Sequence, residues 1–579
     1  MATKSDRIHP GVIRAQDKLA DGRMSRRDFL RIATLLGVSA PTAYVLAACG
    51  VPATTAPTAI AATNAPAATA MPATAASSIK RGGILKVAIQ VPKVDHPARF
   101  SWVFDSNEFR MIFEYLTETG GDNITRPYLA EKWEASDDLK EWTLHLRKDV
   151  KWYDPVKQAL ADPFVANDVL YNFKTWLDVD TKSSILGLWT GILTIDNVKV
   201  VDDNTIKLQL DAPKLDVPET LFHYPAQIVH PSFDGDATTG KNWGTGPYAL
   251  KEYKAAERVI VHRREGYYLN GEDGQPLPYL DEIQFLDLGE DQTAWVPALQ
   301  SGQVHSAFNI APETYLALKD SKNVTITPSH TSQVRLLRIR VDQDPWTNPD
   351  VRNALKMVQD RQKILDTAYF GQGLLGSDVH VAPVQPEYYP MDAPKYDPDG
   401  AKALLTKAGL SSLDVSIAVG TGWSDIVAYI TTLKEDAKAA GINVTLNTMP
   451  NSDYWNLWTE TTVGVTPWTH RPLAVMLLPL AYIADADGKP VPWNETRWVD
   501  PEFSTLLAKA QGTLDVEARK AIMKDIENIM ATRGPIGIAW WQDIWRPANP
   551  GFQNMGSHPT DYFLWRDVWY DPDKNPIKS

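Results

Sequence analysis

Two glycine-rich segments have spacings that bind phosphate groups in other proteins. Residues 235–241 have the spacing of a P-loop, but Asn242 stands where that loop needs a Ser or Thr hydroxyl to hold magnesium. We therefore interpret this segment as a surface turn. Residues 371–376 match the glycine pattern of dinucleotide sites, yet a predicted helix precedes them and prolines follow. Because a dinucleotide loop joins a strand to a helix, we do not assign a nucleotide site here.

The sequence also lacks the common motifs of hydrolytic enzymes. It contains neither Gly-x-Ser-x-Gly nor His-Glu-x-x-His. Its 11 histidines show no His-x-x-x-His spacing, and a single cysteine, Cys49, excludes a site built from several thiolates. We predict no catalysis, no metal site and no cofactor. One enzymatic alternative stays open, a glycoside hydrolase, because the pairing of two carboxylates in space cannot be read from a sequence.

The best candidates for binding a solute are aromatic side chains in segments predicted as loops. The sequence has 20 tryptophans, and aromatic faces stack on sugar rings and other planar groups. Tryptophans in such settings are Trp423, Trp455, Trp458, Trp468, Trp493, Trp498, Trp540 and Trp541. We expect some of them to contact solute and the others to fill the core, with Trp423 and Trp468 the first two to test.

A strand, a helix and a strand are predicted in succession in the second half of the chain. They cover residues 415–419, 424–440 and 442–446, and Gly441 ends the helix. This is a βαβ unit. Ligands of open α/β sheets collect beyond the carboxyl ends of the strands, so residues 420–423 are expected at such an edge.

Strands and helices are mixed along the rest of the body. Apolar and polar residues alternate at 142–147, 205–210, 258–263 and 282–286, which predicts strands. Helices are predicted at 107–117 and 166–178. Asn348 followed by Pro349 predicts the start of a helix that ends before Gly371, and Asp397 followed by Pro398 predicts another that ends at Gly409. The fold class is therefore mixed α/β.

The first 50 residues read as an export label. Residues 25–31 (SRRDFLR) resemble the twin-arginine export signal, and residues 46–50 (LAACG) resemble the lipobox, where an exported bacterial protein is cut before a cysteine that receives lipid. The apolar stretch 32–46 is shorter than the ~20 residues that span a bilayer. We therefore predict a signal peptide at 1–48, lipidation of Cys49 and an extracytoplasmic, lipid-anchored protein on the outer face of the cell membrane.

A tether and an acidic body follow that label. Residues 49–80 are rich in Ala, Thr and Pro, a composition that cannot bury enough apolar surface to fold. The formal net charge of −13 becomes −17 once residues 1–48, with eight basic and four acidic side chains, are removed. A protein with this much negative charge repels nucleic acid and anionic lipid surfaces. We predict no nucleic-acid partner, and contact with the membrane through the lipid anchor alone.

Several segments of the body resemble family 5 extracytoplasmic solute-binding proteins, the large receptors of ABC importers for peptides, nickel chelates and some oligosaccharides. The segments are 142–154, 166–169, 244–248, 348–355 with 360–361, 396–398 and 408–409, in the expected order. The resemblance implies a bilobed fold of the type II periplasmic binding-protein kind, with a hinge and an extra subdomain in the N-terminal lobe. Lobe I would comprise residues 81–290 and 542–579, and lobe II residues 291–541.

The function that the resemblance implies is capture of a peptide-like or oligosaccharide-like solute between two lobes. The receptor, expected to be a monomer, would then deliver the solute to the permease and ATPase complex of an ABC importer. A ligand-sensing receptor with the same fold is the other alternative. The resemblance places Phe104, Asp105, Trp189, Thr245 and Tyr248 near the cleft, and it places one crossing between the lobes near Leu288. The other crossing is expected near Trp541.

The chain departs from the peptide-binding pattern at residues 465–472. Peptide receptors of the family usually hold an aspartate there that pairs with the peptide's α-ammonium, whereas this chain has His470 and Arg471. A buried ammonium facing a guanidinium would be repelled. We therefore expect Arg471 to pair with an anionic or hydroxyl-rich part of the solute, because its planar fork suits carboxylate and phosphate. His470 is a further candidate contact.

Overall fold

The computed structural model describes residues 79–485 and 487–577. The predicted signal peptide, the lipidation of Cys49 and nearly all of the tether lie outside these residues. Within the described part of the chain, no helix is both long and apolar enough to cross a membrane.

Strands occur in both halves of the described chain and cover more residues than helices in the first half. They are β1 Ile84–Ala88, β2 Thr117–Thr119, β3 Thr125–Pro127, β4 Ala130–Ala135, β5 Glu141–Leu146, β6 Lys151–Asp154, β7 Ala159–Pro163, β8 Val198–Asp202, β9 Thr205–Gln209, β10 Tyr248–Lys254, β11 Arg258–Arg263, β12 Glu282–Leu286, β13 Ser306–Ala307, β14 Thr325–Ile339, β15 Gly373–Leu375, β16 Leu413–Gly420, β17 Ile442–Met449, β18 Val463–Trp468, β19 Ile536–Ala548, β20 Phe552–Gln553 and β21 Trp569–Tyr570. The four strands predicted from alternation are confirmed as β5, β9, β11 and β12.

Helices are more frequent in the second half. They are α1 Val103–Phe109, α2 Ala166–Leu177, α3 Leu186–Trp189, α4 Val217–Thr220, α5 Trp295–Ser301, α6 Pro312–Leu318, α7 Pro349–Met357, α8 Arg361–Tyr369, α9 Pro398–Lys407, α10 Ser424–Ala437, α11 Asn451–Leu457, α12 Leu478–Tyr482, α13 Pro501–Gln511 and α14 Val516–Arg533. The mixed α/β class is confirmed, and so is the helix predicted at 166–178.

One large mixed sheet runs through the body in the order β10-β11-β12-β1-β13-β19-β14-β18-β16-β17, with β15 added to β19. The predicted βαβ unit is confirmed, because β16 and β17 pair in parallel on either side of α10. The sheet is narrowest at β13, where Ser306 and Ala548 form the single residue pair between β13 and β19. A separate sheet, β4-β5-β9-β8, lies in the first half and matches the extra subdomain expected there.

Two predicted helices differ from the structure. The helix expected from Pro349 to Gly371 is two helices, α7 and α8, because the Asp360 carboxylate accepts a hydrogen bond from the backbone N–H of Lys363 and starts a new helix. Asn348 caps α7 as predicted, accepting from Asp350 N–H.

The helix predicted at 107–117 is wrong beyond Phe109, where α1 ends. Residues 110–117 are buried on all sides. Their carbonyls accept hydrogen bonds from distant backbone groups, since Met111 O binds Tyr248 N–H and Tyr115 O binds Leu129 N–H. Tertiary hydrogen bonds therefore replace those that a helix would have made.

Three large hydrophobic clusters, and a small one around Tyr267, form the core of the described chain. One contains strands of the first-half part of the sheet together with Phe563, Trp565 and other residues of the C-terminal tail. A second surrounds β16, β17 and the helices beside them. The third joins Trp142 and its neighbours in the first half to Trp541 and its neighbours in the second. The chain termini and middle are thus interleaved, but the exact lobe boundaries stay a prediction.

The buried carboxyl of Glu527 makes the stability depend on pH. Glu527 lies on α14 near Glu387 and Lys520; burial first, then Glu387, raises its pKa to about 8, against the N–H that Tyr389 donates and the charge of Lys520. The folded state therefore holds a proton that the unfolded chain releases near pH 4.5. The contribution of Glu527 to the free energy of unfolding falls as the pH rises from about 4.5 to 8, by at most about 5 kcal/mol.

We expect Glu527→Gln to flatten this dependence in urea unfolding between pH 5 and 9. The variant should match the natural protein near pH 5 and exceed it near pH 9. Glu517→Gln is the matched control, because Glu517 is exposed on the same helix. Parallel pH curves for the natural protein and Glu527→Gln would contradict the assignment.

Candidate functional site

A cavity of about 440 Å³ lies where segments distant in sequence meet. The first half supplies Ser101, Trp102, Val103, Phe104, Thr119, Glu219, Phe222, His223 and Tyr224. The second half supplies Phe308, Asn309, Gln333, Thr469, His470, Arg471, Pro472, Met476 and Ile544, and the C-terminal tail supplies residues 558–562. This cavity has room for a small molecule between parts of the chain that meet only in the folded protein.

Arg471 is positioned by the strand that precedes it. β18 ends at Trp468, and the next three residues, Thr469 to Arg471, line the cavity. The Arg471 backbone N–H donates to Ser332 Oγ at 2.8 Å, and its Nη1 donates to Thr469 Oγ1 at 3.1 Å and to His470 O at 2.9 Å. Burial lowers the pKa of the guanidinium, which Tyr224 and Tyr562 partly oppose. A charged fork therefore stands at the wall of the cavity.

His470 ties the two halves of the chain together. Its Nδ1 accepts from Ser332 N–H at 3.0 Å, so Nε2 carries the proton and donates to Asn123 Oδ1 at 3.0 Å. Asn123 in turn donates to Val384 O at 2.9 Å. Burial, with His558 and Arg471, lowers the pKa of His470 well below its usual range. A neutral His470 thus links the loop after β2 to the end of β18.

The acidic side chains of the cavity wall are already engaged. Glu219 on α4 accepts from Thr125 Oγ1 at 2.7 Å, and burial raises its pKa to about 7. Asp561 accepts from Asn309 N–H at 2.7 Å and pairs with Arg546. No group of three His, Cys, Asp or Glu side chains able to hold a metal occurs in the described part of the chain.

Aromatic rings form the rest of the wall. Trp102 is 64% exposed and stacks on Phe104 with ring centroids 6.3 Å apart, and Phe104 meets Phe308 edge to face. Phe222 and Tyr562 meet edge to face at 5.3 Å on another side. The exposed face of Trp102 is available for stacking on a planar or ring-shaped part of a solute.

Comparison of the sequence with models of protein families identifies the family of the chain. Residues 125–473, well over half of the chain, match the family model "Bacterial extracellular solute-binding proteins, family 5 Middle". The chain belongs to this family. It is a solute-binding receptor of the family 5 type, and the resemblance seen in the sequence is confirmed.

Two curated relatives are named for the solutes that they bind. "Di/tripeptide-binding protein 1" of Pseudomonas aeruginosa is 26% identical over 485 residues, 75% of this chain and 84% of that protein. "Glutathione-binding protein GsiB" of Salmonella choleraesuis is 25% identical over 452 residues, 74% of this chain and 82% of that protein. Both are binding proteins by name, which agrees with the prediction that the chain is a receptor.

The fold agrees with that of a solved family 5 structure. HbpA2 from Haemophilus parasuis superposes with a TM-score of 0.75 at 21% identity, over 84% of this chain and 100% of that chain. The likeness confirms the bilobed fold class.

The structure brings three of the predicted site residues together at the cavity of about 440 Å³: Phe104, His470 and Arg471. Asp105 lies beside it, accepting from Ser101 and Trp102 N–H at the start of α1, and lines a neighbouring cavity of about 430 Å³. Trp468 is buried next to the cavity and donates Nε1–H to Glu495 at 2.9 Å.

The other predicted residues lie away from the cavity. Trp423 precedes α10 at the predicted strand end and packs on Tyr454 and Trp455. Residues buried in the core are Trp189, Thr245, Tyr248 and Trp541. Contact of these residues with solute stays a prediction.

Some of the residues that line the cavity could not be predicted from the sequence. Tyr224 follows a short buried segment, and Tyr562 lies in the irregular C-terminal tail. Neither stands in a motif, and only the packing of the tail against α1 and its neighbours brings Tyr562 to Arg110 and Tyr115. The one available sequence hint was the predicted return of the tail to lobe I.

Proposed function

We propose that this chain is the extracytoplasmic solute receptor of an ABC importer, which captures a peptide-like or oligosaccharide-like solute between two lobes and delivers it to the membrane permease and ATPase complex. The observation that carries the proposal is the cavity of about 440 Å³ walled by the first half, the second half and the C-terminal tail. The peptide class is supported by the names of the relatives, a di/tripeptide-binding and a glutathione-binding protein.

Binding energy in such a receptor drives closure. A solute that contacts both walls stabilises the closed form more than the open one and shifts the population toward closure. The single residue pair between β13 and β19 makes the narrowest link in the main sheet, so we place the hinge there, between lobe I (81–290 and 542–579) and lobe II (291–541). The hydrogen bond from His470 to Asn123 is another contact between the two proposed lobes.

The receptor acts outside the cytosol, as a monomer held by lipid on Cys49. The twin-arginine signal and the lipobox at its N-terminus support this placement. No catalytic step is required, because the acidic residues of the cavity wall are engaged in structural bonds: Asp561 with Arg546 and Glu219 with Thr125.

Mass spectrometry of small molecules released on denaturing the freshly purified protein tests the proposal. We expect one solute class at about one molecule per chain, which rebinds unchanged to the emptied protein and compacts it in small-angle scattering. Conversion of the solute into a product would instead support the hydrolase. Absence of any released molecule, together with no binding from a library of peptides and oligosaccharides, would refute a receptor.

A further inference from the structure

Arg471, which is partly buried, differs in its partners from most of the fully buried arginines of the described chain. Buried arginines typically face a carboxylate: Arg338 pairs with Glu495, Arg361 with Asp378 and Arg519 with Glu387. Arg352 lacks a carboxylate partner but donates to the carbonyls of Trp346, Thr347 and Arg533. In each case, acceptors replace the water that the guanidinium loses on burial.

The guanidinium of Arg471 has no such set of acceptors. Within the described residues it forms no ion pair, and its hydrogen bonds to Thr469 and His470 both come from Nη1. The other edge of its planar fork is left for a partner in the cavity that it lines. A desolvated cation without a counter-charge is costly to the protein, and perturbed charges in a cleft mark binding sites.

A second cation lies behind the same wall. Arg110 is buried, and its guanidinium carbon lies 3.9 Å from the ring centroid of Tyr562 and 4.9 Å from that of Phe222. Its Nε and Nη1 have no hydrogen-bond partner, and Nη2 donates to Ser106 Oγ. Arg110 and Arg471 both act on Tyr562, opposing the rise that burial causes in its pKa. The wall around Tyr562 therefore carries two positive charges without carboxylate partners.

Among the described residues that line this cavity, the two carboxylates, Asp561 and Glu219, are already engaged. Asp561 is neutralised by Arg546. Glu219 is half protonated near neutral pH, since its pKa is about 7, and the charges nearest it are Asp216 and Glu387. A solute ammonium would meet Arg471 with no acid to receive it, whereas a solute carboxylate would complete the pairing that Arg471 lacks.

We propose that Arg471 binds a carboxylate group of the solute, so that this receptor selects solutes that carry a carboxylate. The proposal rests on the receptor function given above and names its substrate class. The carboxylate can come from the C-terminus of a peptide or from an acidic sugar, and both sources present the same two oxygens to the guanidinium fork.

Paired probes separate the charge from the rest of the solute. Calorimetric titration of the emptied protein would compare trialanine with its C-terminal amide, and digalacturonate with its neutral dimethyl ester. We expect the acid of at least one pair to bind about 30-fold more tightly than its neutral partner or better, and Arg471→Gln to reduce that difference to less than about threefold. N-acetylation of trialanine should change its affinity little.

The controls distinguish binding from a structural role. Arg258→Gln removes the same charge from an exposed arginine that pairs with Glu252 on the edge of the sheet, and it should leave the preference intact. Because Arg471 is unpaired without solute, Arg471→Gln should keep or raise the urea midpoint of the empty protein. A lower midpoint would identify a structural residue and overturn the proposal.

Two further results would also overturn it. One is equal affinity for acid and neutral partners, and the other is failure of both acids to bind at millimolar concentration. The receptor function is tested separately: release of a solute without a carboxylate group, at one molecule per chain, would support the receptor function while excluding recognition of a carboxylate by Arg471.

Discussion

Replacing Asp378 with Ala is expected to destabilise the protein by about 3 to 5 kcal/mol, since it leaves a buried guanidinium without its partner. Both oxygens of Asp378 accept from Arg361 Nη2, at 2.8 and 2.7 Å. One of them also accepts from Ile538 N–H of β19 at 2.8 Å. The carboxylate thus fastens the start of α8 to the central strand, and both side chains are at most 5% exposed.

Urea unfolding followed by tryptophan fluorescence measures this loss. Asp342→Ala is the matched control, because Asp342 also accepts from an arginine, Arg340, through both carboxylate oxygens but is 43% exposed, and exposed pairs contribute about 1 kcal/mol or less. Equal losses of unfolding free energy in the two variants would show that burial does not increase the contribution of the Asp378–Arg361 pair to stability. Asp378→Asn, which keeps the shape but not the charge, should fall between the two.

Trp541→Ala is expected to cost about 3 to 5 kcal/mol through the core rather than through lost solute contact. Trp541 is 1% exposed in β19, where it pairs with Val334 of β14 and Leu374 of β15. Its ring belongs to the cluster that joins the two halves of the chain. Removing it leaves a large void in the middle of the main sheet.

The contrast with Trp102 makes this prediction sharp. Trp102 is 64% exposed at the cavity, so Trp102→Ala should change the urea midpoint little and weaken solute binding instead. Trp541→Phe, which retains most of the volume, should recover more than half of the stability lost in Trp541→Ala. A Trp541→Ala protein with an unchanged midpoint but weaker binding would return this residue to the cleft.

Local sequence patterns predicted helices and strands well wherever the hydrogen bonds of regular secondary structure hold the backbone. The alternation at 205–210 became β9, and the βαβ unit around α10 formed as expected. Where distant partners take over the backbone, the same reasoning failed: the apolar run after Phe109 makes tertiary hydrogen bonds instead of a helix. Asp360 shows a smaller failure, since one capping side chain divided a predicted helix into α7 and α8.

Comparing the chain with the family pattern identified residues of the cavity, whereas residue type by itself did not. The pair His470 and Arg471 stood out because an acid was expected there, and both line the cavity. Tryptophan content by itself could not separate Trp102, which faces the cavity, from Trp189 and Trp541, which are buried. Side-chain chemistry is the same in the core and in the cleft, so only position distinguishes the two roles.

The sequence alone determined the class of protein: its family motifs, export signals and acidic charge already indicated an extracytoplasmic solute receptor. The tertiary structure decided which residues line the cavity. Arg471, Tyr224 and Tyr562 lie in three separate segments of the chain, and they meet only because the C-terminal tail packs back onto the first half of the chain. Contacts of that kind arise from the packing of the whole fold, which no local pattern encodes.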